Sequence, residues 1–590
     1  MKEHEIRVWA VSGRMEGLVL AAFALLVPLT MWLGFADGVE FPKHIVVSGF
    51  ALLLALAVFM RAESRMALLA HPLAVPLTLL SLLALASTVL SRAPSVAWAG
   101  EDGSWKGSST LISVWLGALC AGSLAHRALV RRWAVAVLVS AGLALAYGLF
   151  QAVGLDPVPW DPGRRIAYWV MATLGNPVHL GNYLVAAFFI SLIYLSIRSV
   201  PAWIFRGLIL VGILATLSRS ALLSLLAGLI VWFSMRRPSA PRAGILAMAS
   251  APLAALPFLD QLGRLFSLTR LTGARPQIWE GAARMTAHHP LLGVGPDLFY
   301  SVFPAFAGYG FYSAEPPAVF GDTVFLRLPA SAHSELLDTV SMLGLPALGL
   351  YIWALAVIAR RCRNSPLLPA MAALWIGLQL NPSSMATSAL FWTMAAVASR
   401  SATASGNPVR RGIIFSGITV AVILATLMPS IHLAEAQAYR RESGRLLFIG
   451  DRAGSLALQE RWGKKAAHIH PRQAFDDAAL LSSEPVRARG LLALAMSRNS
   501  SNLFYVSASA ELDFNEGRRL HNRIMLADSE AGFRRALKLA PSALSIHDDL
   551  ARVLDAQGRK KEAEAERQLR KIGDPRGLFS TMRAAGAAGK

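Results

Sequence analysis

The amino-acid sequence predicts an all-α membrane protein, a polytopic helix bundle of about 12–13 spans followed by a soluble helical tail. Of its 590 residues, 55% are hydrophobic and only 16% are charged. Apolar stretches of about 20 residues, long enough to cross a bilayer, follow one another from residue 17 to residue 430. Beyond residue 431 the charge rises, and Ala, Arg, Leu and Glu recur at helical spacing. We therefore expect a membrane domain over residues 1–430 and an α-helical tail over residues 431–590.

Short loops join most of the predicted spans, which lie near 17–35, 43–60, 72–91, 108–125, 133–153, 180–197, 203–217, 219–234, 243–259, 335–359, 366–381, 384–399 and 412–430. The first span is too long for the apolar region of a signal peptide and lacks a clear cleavage site, so we expect it to be retained.

Cys120 and Cys362 are the only cysteines, one in a span and one in a loop, which excludes a disulfide framework and a cysteine metal site.

The net charge of +21 would suggest a nucleic-acid partner in a soluble protein, but its distribution indicates a membrane topology instead. With the N-terminus in the cytoplasm, the even-numbered loops hold most of the short-loop arginines: Arg61, Arg65, Arg127, Arg131, Arg132, Arg236, Arg237, Arg242, Arg360, Arg361, Arg363, Arg400, Arg410 and Arg411. This is the positive-inside asymmetry. It places the loop 260–333 and the tail after residue 431 on the outer side, and we expect no nucleic-acid partner.

One long loop, residues 260–333, interrupts the regular series of spans. It carries a concentration of basic side chains: Arg264, Arg270, Arg275, Arg284, His288, His289, Arg327 and His333. Long loops are typically functional or disordered, and this one is too aromatic and apolar for simple disorder. We therefore expect the chemistry of the protein at this face of the membrane.

Arg219 lies between two apolar runs that are bracketed by Arg206 and Arg236. Two full crossings need about 40 residues, and fewer are available, so the pattern favours a hairpin with a recessed turn. A cation inside the membrane is costly, about 2.5–3.5 kcal/mol on insertion scales, and should have an anionic partner. The alternative is an ordinary arginine that snorkels to the surface.

Arg275 precedes Pro276, a residue that favours the first turn of a helix, and the pattern predicts a short helix to about Ala287. The helix N-terminus and Arg275 would then point at one place, an arrangement that suits a phosphate. Arg284 lies on the same helix and can pair with Glu280 at i,i+4, so it ranks below Arg275.

His333 is the best candidate for a catalytic base, because it stands where the long loop re-enters the membrane and an imidazole accepts a proton near neutral pH. The alternative is an interfacial histidine that caps the following helix.

The tandem His288 and His289 are typical of a turn after a helix. Since no carboxylate or cysteine is spaced for a metal, we expect neither a metal nor another cofactor.

Other outer loops hold cations that could meet an anionic headgroup or serve as ordinary interfacial residues. These are Arg164, Arg165 and Lys43. Trp98, Trp105 and Trp160 are predicted to form an aromatic belt.

The tail contains about two degenerate tetratricopeptide-like repeats over residues 508–575. Pro541 and Pro575 are 34 residues apart, and the pattern places Leu550, Ala551, Leu554 and Ala563 at its large and small positions. A surface of this kind usually binds a protein partner. The alternative is an arbitrary helical hairpin.

Several segments together resemble the O-antigen ligase and polymerase superfamily, in the same order along the chain: Tyr147–Gln151, Leu155–Pro157, Gly175–Pro177, Leu180–Leu184, Ser218–Ala221, Arg275–Trp279, His289–Pro296, Ala332–Asp338, Gly344–Leu345 and Asn381–Pro382. Two positions depart from the family pattern. Ser334 replaces the usual Asn after the histidine, and Lys106 stands before Gly107 where relatives often have Arg.

The resemblance implies transfer of a glycan from an undecaprenyl-pyrophosphate carrier to an acceptor hydroxyl, at the outer face of the bacterial inner membrane. Arg219 and Arg275 would stabilise the leaving diphosphate, and His333 would deprotonate the acceptor. Arg284, Arg165, Lys43 and Lys106 are additional candidates for substrate binding. The partners implied are the lipid-linked donor, the bilayer and a glycan, lipid A–core or protein acceptor.

Three activities within the superfamily differ in the acceptor that they use. They are a ligase to lipid A–core, a polysaccharide polymerase and a protein O-oligosaccharyltransferase. A lipid-linked glycan flippase is an alternative from another class. It would require charges or broken helices at mid-membrane and internal symmetry, whereas the ionisable residues here gather at the outer rim. A scaffold with an inert membrane domain is the third class.

Overall fold

The computed structural model describes residues 2–158, 170–236, 274–314, 318–320, 323–325, 328–400, 409–481 and 484–573. Within these ranges six helices are long and apolar enough to cross a membrane, and a seventh span results if a pair bent by 78° is counted as one. Shorter apolar helices accompany them. The predicted polytopic helical bundle is therefore confirmed. The predicted span 243–259 lies outside the described residues.

The helices of the membrane part are α1 (Lys2–Leu29), α2 (Glu40–Phe59), α3 (Ala62–Leu69), α4 (Ala74–Val89), α5 (Pro94–Ala99), α6 (Ser108–Leu124), α7 (Arg127–Ala152), α8 (Pro177–Tyr194), α9 (Val200–Ala215), α10 (Arg219–Arg236), α11 (Arg275–His288), α12 (Phe299–Val302), α13 (Tyr309–Ala314), α14 (Glu335–Leu343), α15 (Leu345–Cys362), α16 (Leu368–Leu380), α17 (Met385–Ser399) and α18 (Val409–Phe448). Short 3₁₀ turns lie at Ala172–Leu174 and Phe303–Ala305. Strands β1 (Ala318–Phe320) and β2 (Thr323–Phe325) form one antiparallel ribbon, with Val319 opposite Val324.

Helix α6 lies at the centre of the bundle, and all of its residues except Leu111 are buried. Helices α2, α4, α17 and α18 surround it. Several polar side chains inside the bundle are paired with one another, because an unsatisfied polar group is costly in a medium without water. Thus Ser113 and Thr426 share a hydrogen bond of 2.9 Å, and His44 bonds to Thr110 at 2.6 Å and Ser430 at 2.8 Å.

The predicted span 335–359 is wrong in one respect, because the chain breaks it into α14 and α15 at Gly344. Gly344 has φ +87°, and the amide of Leu345 donates to the carbonyl of Pro290 at 2.7 Å. A Cβ at Gly344 would lie 2.3 Å from the carbonyl oxygen of Leu291, so only glycine fits. The break lets the loop 289–295 pack against both helices.

The predicted span 412–430 is the membrane part of a much longer helix, α18. Its 40 residues extend about 60 Å, twice the roughly 30 Å of the hydrocarbon core. The helix therefore projects well beyond the membrane and leads directly into the tail.

The tail consists of α19 (Arg452–Ile469), α20 (Pro471–Leu480), α21 (Pro485–Arg498), α22 (Leu503–Arg519), α23 (Arg523–Leu539), α24 (Leu544–Ala556) and α25 (Lys560–Gly573). Helices α22 and α23 pack as a pair, as do α24 and α25. The positions singled out by the repeat pattern are fully buried: Leu550, Ala551, Leu554 and Ala563. Pro575 lies outside the described residues, and the tetratricopeptide assignment stays a prediction.

Candidate active site

The candidate site lies where several helix ends and loops meet on one side of the bundle. The beginnings of α2, α8, α10 and α11 converge there with the loop 100–107 and the loop that precedes α14. Each of these segments contributes a basic side chain. The site is therefore assembled from residues far apart in sequence.

His333 lies in the loop immediately before α14, which begins at Glu335 with Ser334 at its N-cap. Its backbone has φ +57°, a left-handed conformation that costs about 1–3 kcal/mol for a residue other than glycine. Its preceding residue is fixed from two sides, because the Ala332 amide donates to Asp338 Oδ1 at 2.6 Å and Trp279 Nε1 donates to the Ala332 carbonyl at 3.0 Å. The surrounding contacts thus hold the histidine in a strained but defined position.

The electrostatic surroundings of His333 keep its imidazole neutral. Burial, followed by the positive charges of Arg275 and Lys106, lowers the pKa of His333 to about 4. At neutral pH the ring is therefore unprotonated and able to accept a proton.

Arg275 begins α11, with Pro276 in the first turn as predicted. Its Nη2 donates to Asn381 Oδ1 at 3.2 Å. Burial lowers the pKa of Arg275, and the positive charge of Arg219 lowers it further, so the two guanidinium groups lie within electrostatic range of each other. Two cations held near each other favour a multiply charged anion between them.

Arg219 is the first residue of α10 and is half-buried. The helices on either side of its turn have 16 and 18 residues, about 24 and 27 Å, which is shorter than the membrane core of roughly 30 Å. The turn contains Leu217, another residue with positive φ (+51°). Because α10 is nevertheless among the helices long and apolar enough to cross a membrane, the recessed turn stays a prediction.

Lys106 lies on a tight loop that Asp297 organises. The Asp297 carboxylate accepts hydrogen bonds from the amides of Glu101 and Lys106 and from the Ser104 hydroxyl, each at 2.8 Å. Trp105 is fully buried, and its Nε1 donates to Asp37 at 2.7 Å. Its assignment to an aromatic belt is therefore wrong, because the ring is a structural support of the Lys106 loop.

Lys43 is fully buried near the same site. Its Nζ donates to the carbonyls of Val39 at 2.7 Å and Thr173 at 2.9 Å, which ties α2 to the segment before α8.

His179, on the first turn of α8, interacts electrostatically with Lys43, Lys106 and His333. Sequence reasoning missed His179, although it follows Gly175–Pro177 by two residues, because a lone histidine in an apolar helix carries no distinctive signal.

Two other candidates lie elsewhere. Arg284 forms the predicted i,i+4 ion pair with Glu280, at 2.5 Å, and its side chain is 49% exposed. It also donates to the Phe306 carbonyl at 3.3 Å, toward the opposite end of α11 from Arg275. Arg165 lies outside the described residues.

A cleft adjoins Lys106. One part of its wall is polar, with Asp297, Ser331, Glu335 and Asp338, and another part is apolar, with residues such as Leu111, Val114, Trp115, Met342, Leu343 and Met385. Such an amphipathic wall suits a ligand that has both a polar and a lipid-like part.

The tail packs directly on the Lys106 loop. Arg440, on the projecting part of α18, donates to both carboxylate oxygens of Asp102, at 2.7 and 3.0 Å, and to Asp476 at 2.9 Å. His470 bonds to the Gly100 carbonyl at 3.2 Å, and its ring lies 5.7 Å from that of Trp105. Sequence reasoning did not find this contact, because Asp102 and Arg440 are 338 residues apart.

The fold and the basic site define a multi-pass membrane protein with a cationic pocket around a neutral histidine. Residues 204–352 match the family model described as O-antigen ligase. This segment contains Arg219, Arg275 and His333. The match supports the resemblance to the O-antigen ligase and polymerase superfamily that its motifs predicted. No curated protein and no solved structure matches the chain.

Proposed function

We propose that this protein transfers a glycan from an undecaprenyl-pyrophosphate-linked donor to an acceptor hydroxyl at the outer face of the bacterial inner membrane. The observation that carries the proposal is the grouping of Arg219, Arg275 and Lys106 with a neutral His333. Cations suit a diphosphate, and a neutral imidazole suits proton removal. An inert scaffold would require neither.

The reaction proceeds as one displacement. The His333 ring takes the proton from the acceptor hydroxyl as the acceptor oxygen attacks the anomeric carbon of the donor. The bond from that carbon to the diphosphate oxygen breaks, and the configuration at carbon inverts. The lipid diphosphate leaves with the bonding electrons.

Arg219 and Arg275 stabilise the negative charge that develops on the leaving diphosphate. Asn381 orients Arg275, because it accepts a hydrogen bond from one of its nitrogens. Lys106 supplies a third positive charge near His333, which also keeps the base unprotonated until the substrate arrives. The leaving group carries the energy of the reaction, so no nucleotide is required.

The direct test is reconstitution of the full chain in liposomes with a lipid-pyrophosphate glycan and three acceptors: a lipid A–core glycolipid, a free polysaccharide end and a hydroxyl-bearing protein. The product is identified by mass spectrometry. Glycan transfer to any acceptor with release of the lipid diphosphate supports the proposal. Translocation of the donor across the membrane without cleavage would favour a flippase.

His333→Ala should abolish transfer, because the proton acceptor is lost. The matched control is His432→Ala on α18, whose side chain is 62% exposed and pairs only loosely with Glu435 at 3.9 Å. The control should transfer glycan at the wild-type rate. Transfer by His333→Ala at that rate would remove the base assignment.

A further inference from the structure

A second cavity lies between the tail and the loops of the membrane domain. It has a volume of about 310 Å³ and is lined by Arg92, His288, His289 and Ser301 from the membrane domain and by Ser501 and Leu539 from the tail, among others. None of the described residues that line it is acidic. Arg92 gives the cavity a positive charge, and the two imidazoles add possible hydrogen-bond donors for an anion. The lining includes residues from both parts of the chain.

The basic residues of the cavity lie close together and are oriented by contacts. His288 and His289 end α11, and the ring of Phe306 packs against both, with centroid distances of 5.1 and 6.3 Å. The Nδ1 of His288 bonds to the Arg284 carbonyl at 2.9 Å. Burial, followed by the neighbouring Arg92 and His288, lowers the pKa of His289, so all three share one electrostatic environment. The His289 ring is therefore neutral at neutral pH and can offer a hydrogen bond to an anion but no charge.

The hydroxyl groups of the cavity are buried. Ser301 and Ser501 are 4% and 5% exposed. The Ser301 oxygen accepts a hydrogen bond from Asn499 Nδ2 at 2.9 Å, and its hydroxyl donates to Glu101 Oε2 at 3.5 Å. The Ser501 hydroxyl, in contrast, has no hydrogen-bond partner among the described residues. A buried hydroxyl without a partner is costly, and an oxygen of a bound ligand would accept its proton.

The chain beside these basic residues is apolar and exposed. Val89 and Leu90, just before Arg92, are 70% and 72% exposed, and Leu291, just after His289, is 71% exposed. In a membrane protein such residues face lipid. Contact of these residues with lipid would place the opening of the cavity at the level of the headgroups.

We propose that this cavity binds a phosphate group on the headgroup of a membrane-anchored glycolipid that serves as the acceptor. The assignment rests on the proposed function. Arg92 and the two histidines would contact the phosphate oxygens, and the Ser501 hydroxyl would donate to one of them.

The position of the cavity fits an acceptor subsite. Helix α11 has Arg275 at its first residue and His288 at its last, so its 14 residues separate the two sites by about 20 Å. A headgroup of several sugars spans such a distance, from a phosphate held in the cavity to a hydroxyl beside His333. The donor diphosphate and the acceptor phosphate thus occupy opposite ends of one helix.

The test measures binding to the full chain in phosphatidylcholine nanodiscs by native mass spectrometry. The probes are a short-chain diphosphorylated glycolipid, its dephosphorylated form and short-chain phosphatidic acid. The triple variant Arg92→Gln/His288→Gln/His289→Gln is compared with Arg535→Gln, an exposed arginine on α23, the helix that ends in Leu539.

We expect the phosphorylated glycolipid to bind the wild type and Arg535→Gln alike, and the triple variant at least tenfold more weakly. The dephosphorylated form should bind weakly to all three proteins. Equal affinity of the triple variant and the wild type would overturn the proposal. Equal affinity for phosphatidic acid and the glycolipid would overturn the acceptor assignment, because it would indicate a general lipid-phosphate site.

A further variant separates this proposal from the proposed function. His333→Ala should bind the phosphorylated glycolipid as the wild type does while transferring no glycan. In the transfer assay the triple variant should raise the KM for a phosphorylated acceptor and leave the KM for the donor unchanged. Failure of the wild type to transfer glycan would refute the proposed function. The binding experiment would still decide whether the cavity holds a phosphorylated glycolipid.

Discussion

Replacing Arg440 tests whether the tail positions the active-site loop. Arg440→Met keeps an unbranched apolar chain in place of the aliphatic part of the arginine and removes the charge that bridges Asp102 and Asp476. The Arg440 and Asp102 side chains are only 12% and 21% exposed. Breaking a buried ion pair on one side costs about 3–5 kcal/mol, and the partial exposure of Asp102 and Asp476 places the cost near the lower end, about 3 kcal/mol.

The expected result follows from that magnitude. A cost of about 3 kcal/mol shifts the docking of the loop 100–107 on the tail by roughly a hundredfold. Because the same loop carries Lys106, we expect kcat to fall while the protein remains folded and inserted. The assay is glycan transfer in liposomes, with crosslinking between cysteines introduced on the loop and the tail as a direct measure of docking.

The matched control is Arg445→Met on the same helix. Arg445 pairs with Glu442 at 2.6 Å, but both side chains are about half exposed, and such pairs contribute little. The control should retain wild-type transfer and crosslinking. Wild-type kcat in Arg440→Met, with docking demonstrably lost, would refute the reasoning, since Lys106 would then work without the tail.

Three further predictions follow from the site. The acid limb of the kcat/KM profile should lie near pH 4 rather than near 6.5, because burial and nearby cations lower the pKa of His333 and only its neutral form accepts a proton; a limb near 6.5 in the free enzyme would contradict this. Arg275→Lys should lower kcat about tenfold or more despite the retained charge, because a lysine cannot reproduce the planar contacts to Asn381 and a phosphate; unchanged kcat would indicate a simple charge effect. Incubation with EDTA should leave transfer unchanged, as measured by product formation before and after chelation; loss that Mg²⁺ or Mn²⁺ restores would require a metal in the mechanism.

Much of the helical architecture is predictable from the sequence, because apolar runs of bilayer length are a strong local signal. The start of α11 is also predictable, since Pro276 favours a first helical turn, and so is the ion pair between Arg284 and Glu280. The break at Gly344 is not, because the apolar character continues across it and the cause is a distant loop that packs there.

The composition of the site is only partly predictable. Arg219, Arg275 and His333 stand out because charges at the ends of apolar runs require a reason. The residues that hold these side chains in place do not stand out in the sequence, because their role depends on contacts between remote segments. Asp297 organises the Lys106 loop across 191 residues, and Arg440 reaches that loop across 338. A single sequence contains no local pattern for such pairs.

The most direct test of the proposed mechanism separates donor binding from proton transfer. Binding of the lipid-pyrophosphate glycan is measured by native mass spectrometry in nanodiscs for the wild type, His333→Ala and Arg219→Gln/Arg275→Gln. The mechanism predicts that His333→Ala binds the donor at wild-type affinity without transferring it, whereas the double arginine variant loses binding. Undiminished donor binding by the double arginine variant would contradict it.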